Sequence, residues 1–325
     1  GEREQASTEP LPREVEIELT TDDPYPRAML RPAGDRVDTR GPIEPAIVHR
    51  IVTEITRYDD ALLTLGGFGD PLRHPQFAAI LESIRSVRRD GRSLYGLAVR
   101  TRAADLTDEH IDAMISNEVD ILNVTLEAWT PQLYGKLQSP DDPAAADLEA
   151  VLRKLDRLSD FRQQRKTVKP ILVPEMTKAY DNVQELDAFH DGWLRRAGAV
   201  CISGYSHYAR QCEDRSVIRM APSTRVGCRR IHSRCLVLAD GQVTLCDQDF
   251  NGRHAIGRLG DMAKRSAAVQ HRLRGVHAGA YGLGMPPSLE QIWRSEAFER
   301  VREAHRQGRF DPTPLCAACE EWHRP

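Results

Sequence analysis

Through the first two-thirds of the chain, short apolar runs alternate with longer amphipathic ones. Residues 15–19 alternate apolar and acidic positions, the period-two pattern of a strand with one buried face. Residues 62–65 form an apolar run that stops at Gly66-Gly67, a strand ending in a tight turn. Residues 94–99, 121–126, 171–173 and 200–203 predict four more strands. Helical periodicity fills the gaps. Residues 45–58 place Ile47, Val48, Ile51 and Ile55 on one face, and residues 77–87 do the same with Ile80, Leu81, Ile84 and Val87. A third helix follows Thr107, which with His110 loosely echoes a capping box, and buries Ile111, Met114 and Ile115. Residues 148–158 and 183–194 complete the set. Six strands alternating with helices imply a parallel sheet with right-handed crossovers. Six units are too few for the eight of a closed barrel. The expected fold is therefore an α/β partial (β/α)6 barrel, with functional loops at the carboxyl ends of its strands.

The pattern changes after Tyr205. Residues 235–239, the pair Asp240-Gly241 and residues 242–245 read as a β-hairpin on an Asp-Gly turn. A Gly-rich stretch at 275–284 reads as a flexible insertion. A last helix is expected over 289–305, with Ile292, Trp293, Phe298 and Val301 apolar.

Composition narrows the class. The 325 residues are 40% hydrophobic and 29% charged, with a net charge of −3, as in a globular protein with a real core. Arginines and acids are spread along the chain, which gives no polyanion-binding surface and no reason to expect nucleic acid or a membrane as partner. There is no apolar run long enough for a membrane span, and residues 1–10 lack an apolar signal core. The expectation is a cytoplasmic protein with a disordered leader over 1–13.

Seven cysteines, an odd number, argue against a disulfide framework. Five lie after Gly227. Cys228 and Cys246 flank the hairpin, and Cys316-Ala-Ala-Cys319 is a CxxC bite that holds two sulfurs on one side of the backbone. Four thiolates suit tetrahedral zinc or an iron–sulfur cubane, and spacing alone does not choose. A redox pair or unligated buried thiols would be the blander explanations. Cys235 and Cys201 read as packing residues within strands, and Cys212 as a spare.

These segments together resemble the radical SAM superfamily, in its subgroup with a C-terminal SPASM or shortened twitch domain. That pattern has a cysteine, a spacer, Gly-x4-Cys and a later CxxC. Here Cys228, then Gly241-Gln-Val-Thr-Leu-Cys246, then Cys316-x-x-Cys319 fit it, with Ile256-Gly257 and Leu289-Glu-Gln-Ile-Trp293 between. The resemblance implies one auxiliary 4Fe-4S cluster on Cys228, Cys246, Cys316 and Cys319, and raises iron–sulfur above zinc. Gly67-Phe68-Gly69-Asp70 resembles the glycine-rich turn that receives the amino group of SAM. Residues 122–128 resemble the fourth strand, and Asn182 with Glu185, Leu186 and Phe189 the helix after the fifth. The implied organisation is a barrel over 14–210 and a SPASM/twitch domain over 211–325.

One departure shapes the functional expectation. Active members carry CxxxCxxC after the first strand. In register, those positions here hold Asp23, Arg27 and Leu30. A guanidinium has no lone pair for iron and a leucine has no ligand atom. The resemblance then implies a degenerate member: a vestigial SAM pocket, no catalytic residue, and SAM binding weak or absent. Arg27, Arg100 and Arg102 would crowd that pocket, unless they are solvated loop residues. The expected role is a pseudoenzyme subunit in a heterodimer with a complete radical SAM homologue, in peptide or natural-product biosynthesis. There it would position a peptide or small-molecule substrate, or relay an electron. The alternatives are a SAM-independent enzyme using Asp23, Asp70 and Glu127 at the barrel mouth, or a zinc-stabilised binding protein.

Overall fold

The computed structural model describes residues 10–89, 91–218, 221–260 and 286–324. The Gly-rich stretch 275–284 lies outside the described residues. The six expected strands are β1 (Glu14–Glu18), β2 (Leu62–Gly66), β3 (Gly96–Thr101), β4 (Ile121–Thr125), β5 (Ile171–Lys178) and β6 (Cys201–Gly204). Each pairs in parallel with the next. The intervening helices are α1 (Pro45–Ile55), α2 (Phe77–Arg89), α3 (Asp108–Ser116), α4 (Pro131–Gln138), α5 (Leu148–Arg165) and α6 (Leu186–Ala197). The chain is thus the α/β, six-unit parallel architecture that its periodicity predicts.

Strand alternation divides the sheet into two faces. Val15, Ile17, Leu63, Leu65, Leu97, Val99, Leu122 and Val124 are buried in the core that the helices cover. Their neighbours Glu16, Glu18, Arg100, Thr125, Glu175 and Thr177 take the other face. Register sets these side by side, with Thr125 opposite Glu175, Glu175 opposite Cys201, and Thr177 opposite Ser203.

Helix α4 was not expected. It is short, and its signal is local: the Thr130 hydroxyl caps it and Pro131 occupies the first turn. Packing also begins ahead of β1, where Leu11 is buried and the Leu62 amide bonds the Arg13 carbonyl. The expected leader 1–13 therefore includes packed residues.

The hairpin forms as expected, from β7 (Arg234–Val237) and β8 (Gln242–Thr244), and β9 (Gly257–Arg258) joins β8 antiparallel. What the sequence does not reveal is where it docks. β7 runs parallel to β1, with Glu16 opposite Leu236, and makes one nine-stranded sheet in the order β6-β5-β4-β3-β2-β1-β7-β8-β9.

The single helix expected over 289–305 is two: α7 (Leu289–Trp293) and α8 (Glu296–Arg306), followed by α9 (Pro314–Ala318). Ser295 caps α8 through the Phe298 amide. The Trp293 carbonyl accepts from Arg302, which is fully buried with its guanidinium 4.2 Å from the Trp293 ring and 4.1 Å from the Phe298 ring. Arg302 also bonds the Ile231 carbonyl at 3.0 Å and so ties α8 to the segment after Cys228. Among the described residues, no helix is long and apolar enough to cross a membrane.

Candidate functional site

The carboxyl ends of β1 to β6 open into a cavity of about 570 Å³. Its front wall is the loop after β1 with the turn after β2. Its rear wall comes from segments next to the C-terminal cysteines, including Asp247, Gln248 and Glu321.

The turn Gly67-Phe68-Gly69-Asp70 is built for close approach. Gly67 has φ +89°, and a Cβ on Gly69 would lie 2.1 Å from the Thr20 carbonyl oxygen. Two of its backbone donors are taken by carboxylates. The Gly67 amide donates to Glu16 at 3.0 Å and the Phe68 amide to Glu18 at 3.3 Å. Glu18 is fully buried, pairs bidentately with Arg40 at 2.7 and 2.9 Å, and accepts from the Ala239 amide at 2.9 Å. One carboxylate thus joins β1, the glycine turn and the hairpin. Asp70, also buried, accepts from Thr101 at 2.8 Å, the Arg102 amide at 2.9 Å and the Leu72 amide at 3.0 Å. Burial nevertheless pushes its carboxyl up.

The three positions that align with the cluster motif separate. The Asp23 side chain is buried and bridges Arg31 at 2.9 Å and Arg102 at 3.3 Å, with the Tyr25 amide at 2.6 Å. Burial opposes its charge, but the two guanidiniums outweigh burial and hold the carboxyl below its usual value. Arg102 continues the network to Gln138 on α4. Leu30 is buried against the cavity. Arg27 points away, 71% exposed, and pairs with Asp141 at 3.3 Å. Arg100 and Arg102 do line the cavity, and Arg31, which sequence reasoning passed over, takes the place expected for Arg27. These donors do not suit an iron–sulfur cluster, because the one carboxylate among them is already spent on two arginines.

Glu127 stands at the end of β4 with φ +66°, an uncommon backbone for a side chain of its size. Asn182 holds that turn, donating to the Glu127 and Thr177 carbonyls at 2.9 and 3.0 Å. The Glu127 carboxylate accepts from the Thr177 amide at 2.5 Å and its hydroxyl at 3.0 Å. Burial first, and the Glu175 charge with it, push the carboxyl up to about 7. The turn after β6 is strained too. Tyr208, Ala209 and Arg210 all have positive φ, and Tyr208 packs edge-on against Phe68 and Phe250. Composition gave no sign of this, since no glycine or asparagine marks the turn.

The four C-terminal thiols share one neighbourhood. Burial, then neighbouring charge including that of Cys316 and Cys319, pushes Cys246 well above the ordinary thiol range. Burial and then Cys228 push Cys316 up to about 12, and Cys319 rises to about 11. The Cys319 sulfur accepts the Glu321 amide at 3.3 Å, and Cys246 accepts the Gln248 amide. No disulfide links them. Among the described residues, no three His, Cys, Asp or Glu side chains converge closely enough to hold a metal ion. The chemistry of the donors nonetheless fits a cation: buried thiols that disfavour one another's charge, with amides directed at two of the sulfurs, are stabilised as thiolates once positive charge arrives. Cys235 is buried in the core, as expected of a packing residue. Cys201 instead lines the cavity, and Cys212 lies beside Arg36, apart from the four.

No family model matches the chain. In sequence it is similar to an uncharacterized protein of Treponema pallidum (strain Nichols), 26% identical over 253 residues, which are 73% of this chain and 66% of that protein. The match thus spans just under two thirds of that relative's length. Among solved structures, it is similar to SuiB of Streptococcus suis bound to precursor peptide SuiA, with TM-score 0.62, 11% identity, and 95% of this chain and 71% of that one covered. It is also similar to anSMEcpe with bound AdoMet, with TM-score 0.59, 10% identity and coverage of 91% and 81%. A third is BtrN in complex with AdoMet and 2-DOIA, with TM-score 0.55, 12% identity and coverage of 94% and 92%. These are radical SAM enzymes, and the chain has their fold.

Proposed function

We propose that this chain is a non-catalytic subunit with the radical SAM fold, which carries one auxiliary 4Fe-4S cluster and pairs with a catalytically complete homologue. The observation that carries the reading is the contrast in ligand chemistry. At the barrel front, Asp23 is ion-paired to Arg31 and Arg102 where a cluster thiolate would stand. At the rear, Cys228, Cys246, Cys316 and Cys319 are the residues that would hold a cluster. When bound there, a cluster supplies one-electron transfer and a covalent cross-link between the hairpin and α9. The chain's own part is to shape the cavity, and SAM has little to hold it there, since Asp23, Arg27 and Leu30 would hold no cluster iron to chelate its methionine end. The ligand of the cavity is then the pathway substrate. Neighbours bound to a precursor peptide and to 2-DOIA make a peptide or a small natural-product intermediate the natural candidates.

Anaerobic reconstitution with iron and sulfide counts tests the cluster. About four irons per chain are expected for one cubane. About eight, or zinc in place of iron, overturns the reading. Co-purification with a CxxxCxxC-bearing homologue tests the partnership, and a chain that stays monomeric beside such a homologue overturns it. The near-neutral titration of Glu127 favours a second reading, an acid–base enzyme independent of SAM. Turnover by the isolated chain without SAM or reductant would establish it.

A further inference from the structure

The acids lining the cavity differ in what neutralises them. Glu16 pairs with Arg100 at 3.0 Å, Asp247 with Arg230 at 3.1 Å, and Glu321 with Arg324 at 2.5 Å. Glu175 reaches Arg100 at 3.9 Å. Asp70 has no ion pair but is saturated by the Thr101 hydroxyl and two amides. Glu127 has neither: among the described residues its carboxylate receives only the amide and hydroxyl of Thr177.

We propose that the cavity takes a ligand bearing a protonated primary amine, with the Glu127 carboxylate as its counter-ion. Three features of the wall support this. The backbone at Glu127 is held in the left-handed region by Asn182, so strain is maintained at the residue that points the carboxylate inward. Glu175 lies across the strand pair, and the hydroxyls of Thr125 and Ser203 share that wall. An ammonium has three donors and matches a carboxylate flanked by a second carboxylate and hydroxyl oxygens. A hard metal ion needs more oxygen ligands than this wall assembles. The charges facing Glu127 are Glu175, which opposes its ionisation, and Arg102, which favours it but is committed to Asp23 and Gln138.

The inference deepens the reading of the cavity as a substrate chamber but does not depend on the cluster. Amine uptake and iron content are separate measurements on the same reconstituted chain, so either can fail alone. The probes are a butane diamine and the corresponding butane diol, measured by calorimetry at about pH 6 and about pH 8. Glu127 titrates at about 7, so diamine affinity should rise roughly tenfold across that interval as the carboxylate forms. The diol should not bind measurably. Glu127→Gln should abolish the rise. Thr177→Val, which removes one donor to the carboxylate, should move the midpoint of the rise to higher pH. Equal binding of diol and diamine, a flat pH profile, or an unchanged rise in Glu127→Gln overturns the proposal. If Glu127→Gln does not fold, the Thr177→Val shift decides.

Discussion

The two ends of the cavity handle charge in opposite ways. At the front, buried ions close among themselves: Asp23 with Arg31 and Arg102, Glu18 with Arg40 and two amides, Asp70 with four hydrogen bonds. Only the Arg31 Nε is left over there among the described residues. At the rear, burial first and neighbouring charge after it push the Cys246, Cys316 and Cys319 thiols up, and among the described residues buried atoms of His305, His323 and Arg225 lack partners. Buried polar groups that satisfy one another make a finished structure, whereas unsatisfied ones ask for an added component. The front is complete in itself, and the rear is where the proposed cluster would be the added component.

The largest test of this contrast is Cys316→Ala. It should empty the rear of iron and remove most of a stabilisation on the order of 10 kcal/mol from the segment after Gly227. Iron assay and hydrogen exchange would show both, and a variant that keeps its iron breaks the comparison. Next is Asp23→Ala, which strands Arg31 and Arg102 in the interior. Removing one partner of a buried pair should cost about 3–5 kcal/mol in urea unfolding, with iron content unchanged. A smaller effect follows acidification. Asp23 is held below its unfolded value of 3.8, so its contribution is fully present above that pH and is lost as pH falls through the lower folded value. Unfolding midpoints of the native chain should therefore fall below about pH 4 more steeply than those of Asp23→Asn. The smallest effect belongs to Arg27→Ala. Although it aligns with a cluster position, its exposed pair with Asp141 should shift stability by no more than about 0.5 kcal/mol.

Much of this was legible in the sequence because it is local. Alternation at Glu14–Glu18 and the apolar run before Gly66 define strands without tertiary help. The cysteine spacing grouped Cys228, Cys246, Cys316 and Cys319, whose thiols feel one another's charge, although among the described residues no three converge closely enough to hold a metal ion. That Arg27 and Leu30 offer no ligand atom for iron could be read from side-chain chemistry alone. What could not be read depends on long-range partners. Arg31 becomes an interior cation only because Asp23, in the loop after β1, and Arg102, just after β3, meet there. At the break before Ser295, Arg302, nine residues after Trp293, bonds the Trp293 carbonyl. The left-handed run at Tyr208 packs against Phe68 and Phe250, and no residue in it announces the turn.

The docking of β7 on β1 has a consequence for how the chain is made. Glu14 hydrogen-bonds into a strand that begins at Arg234, so during synthesis one edge of the first strand stays unpaired until the hairpin, far downstream in the sequence, has left the ribosome. An open edge of this kind invites pairing with other nascent chains, and contacts so distant in sequence form slowly. Fragments that stop before the hairpin should therefore aggregate even though all six crossover units are present.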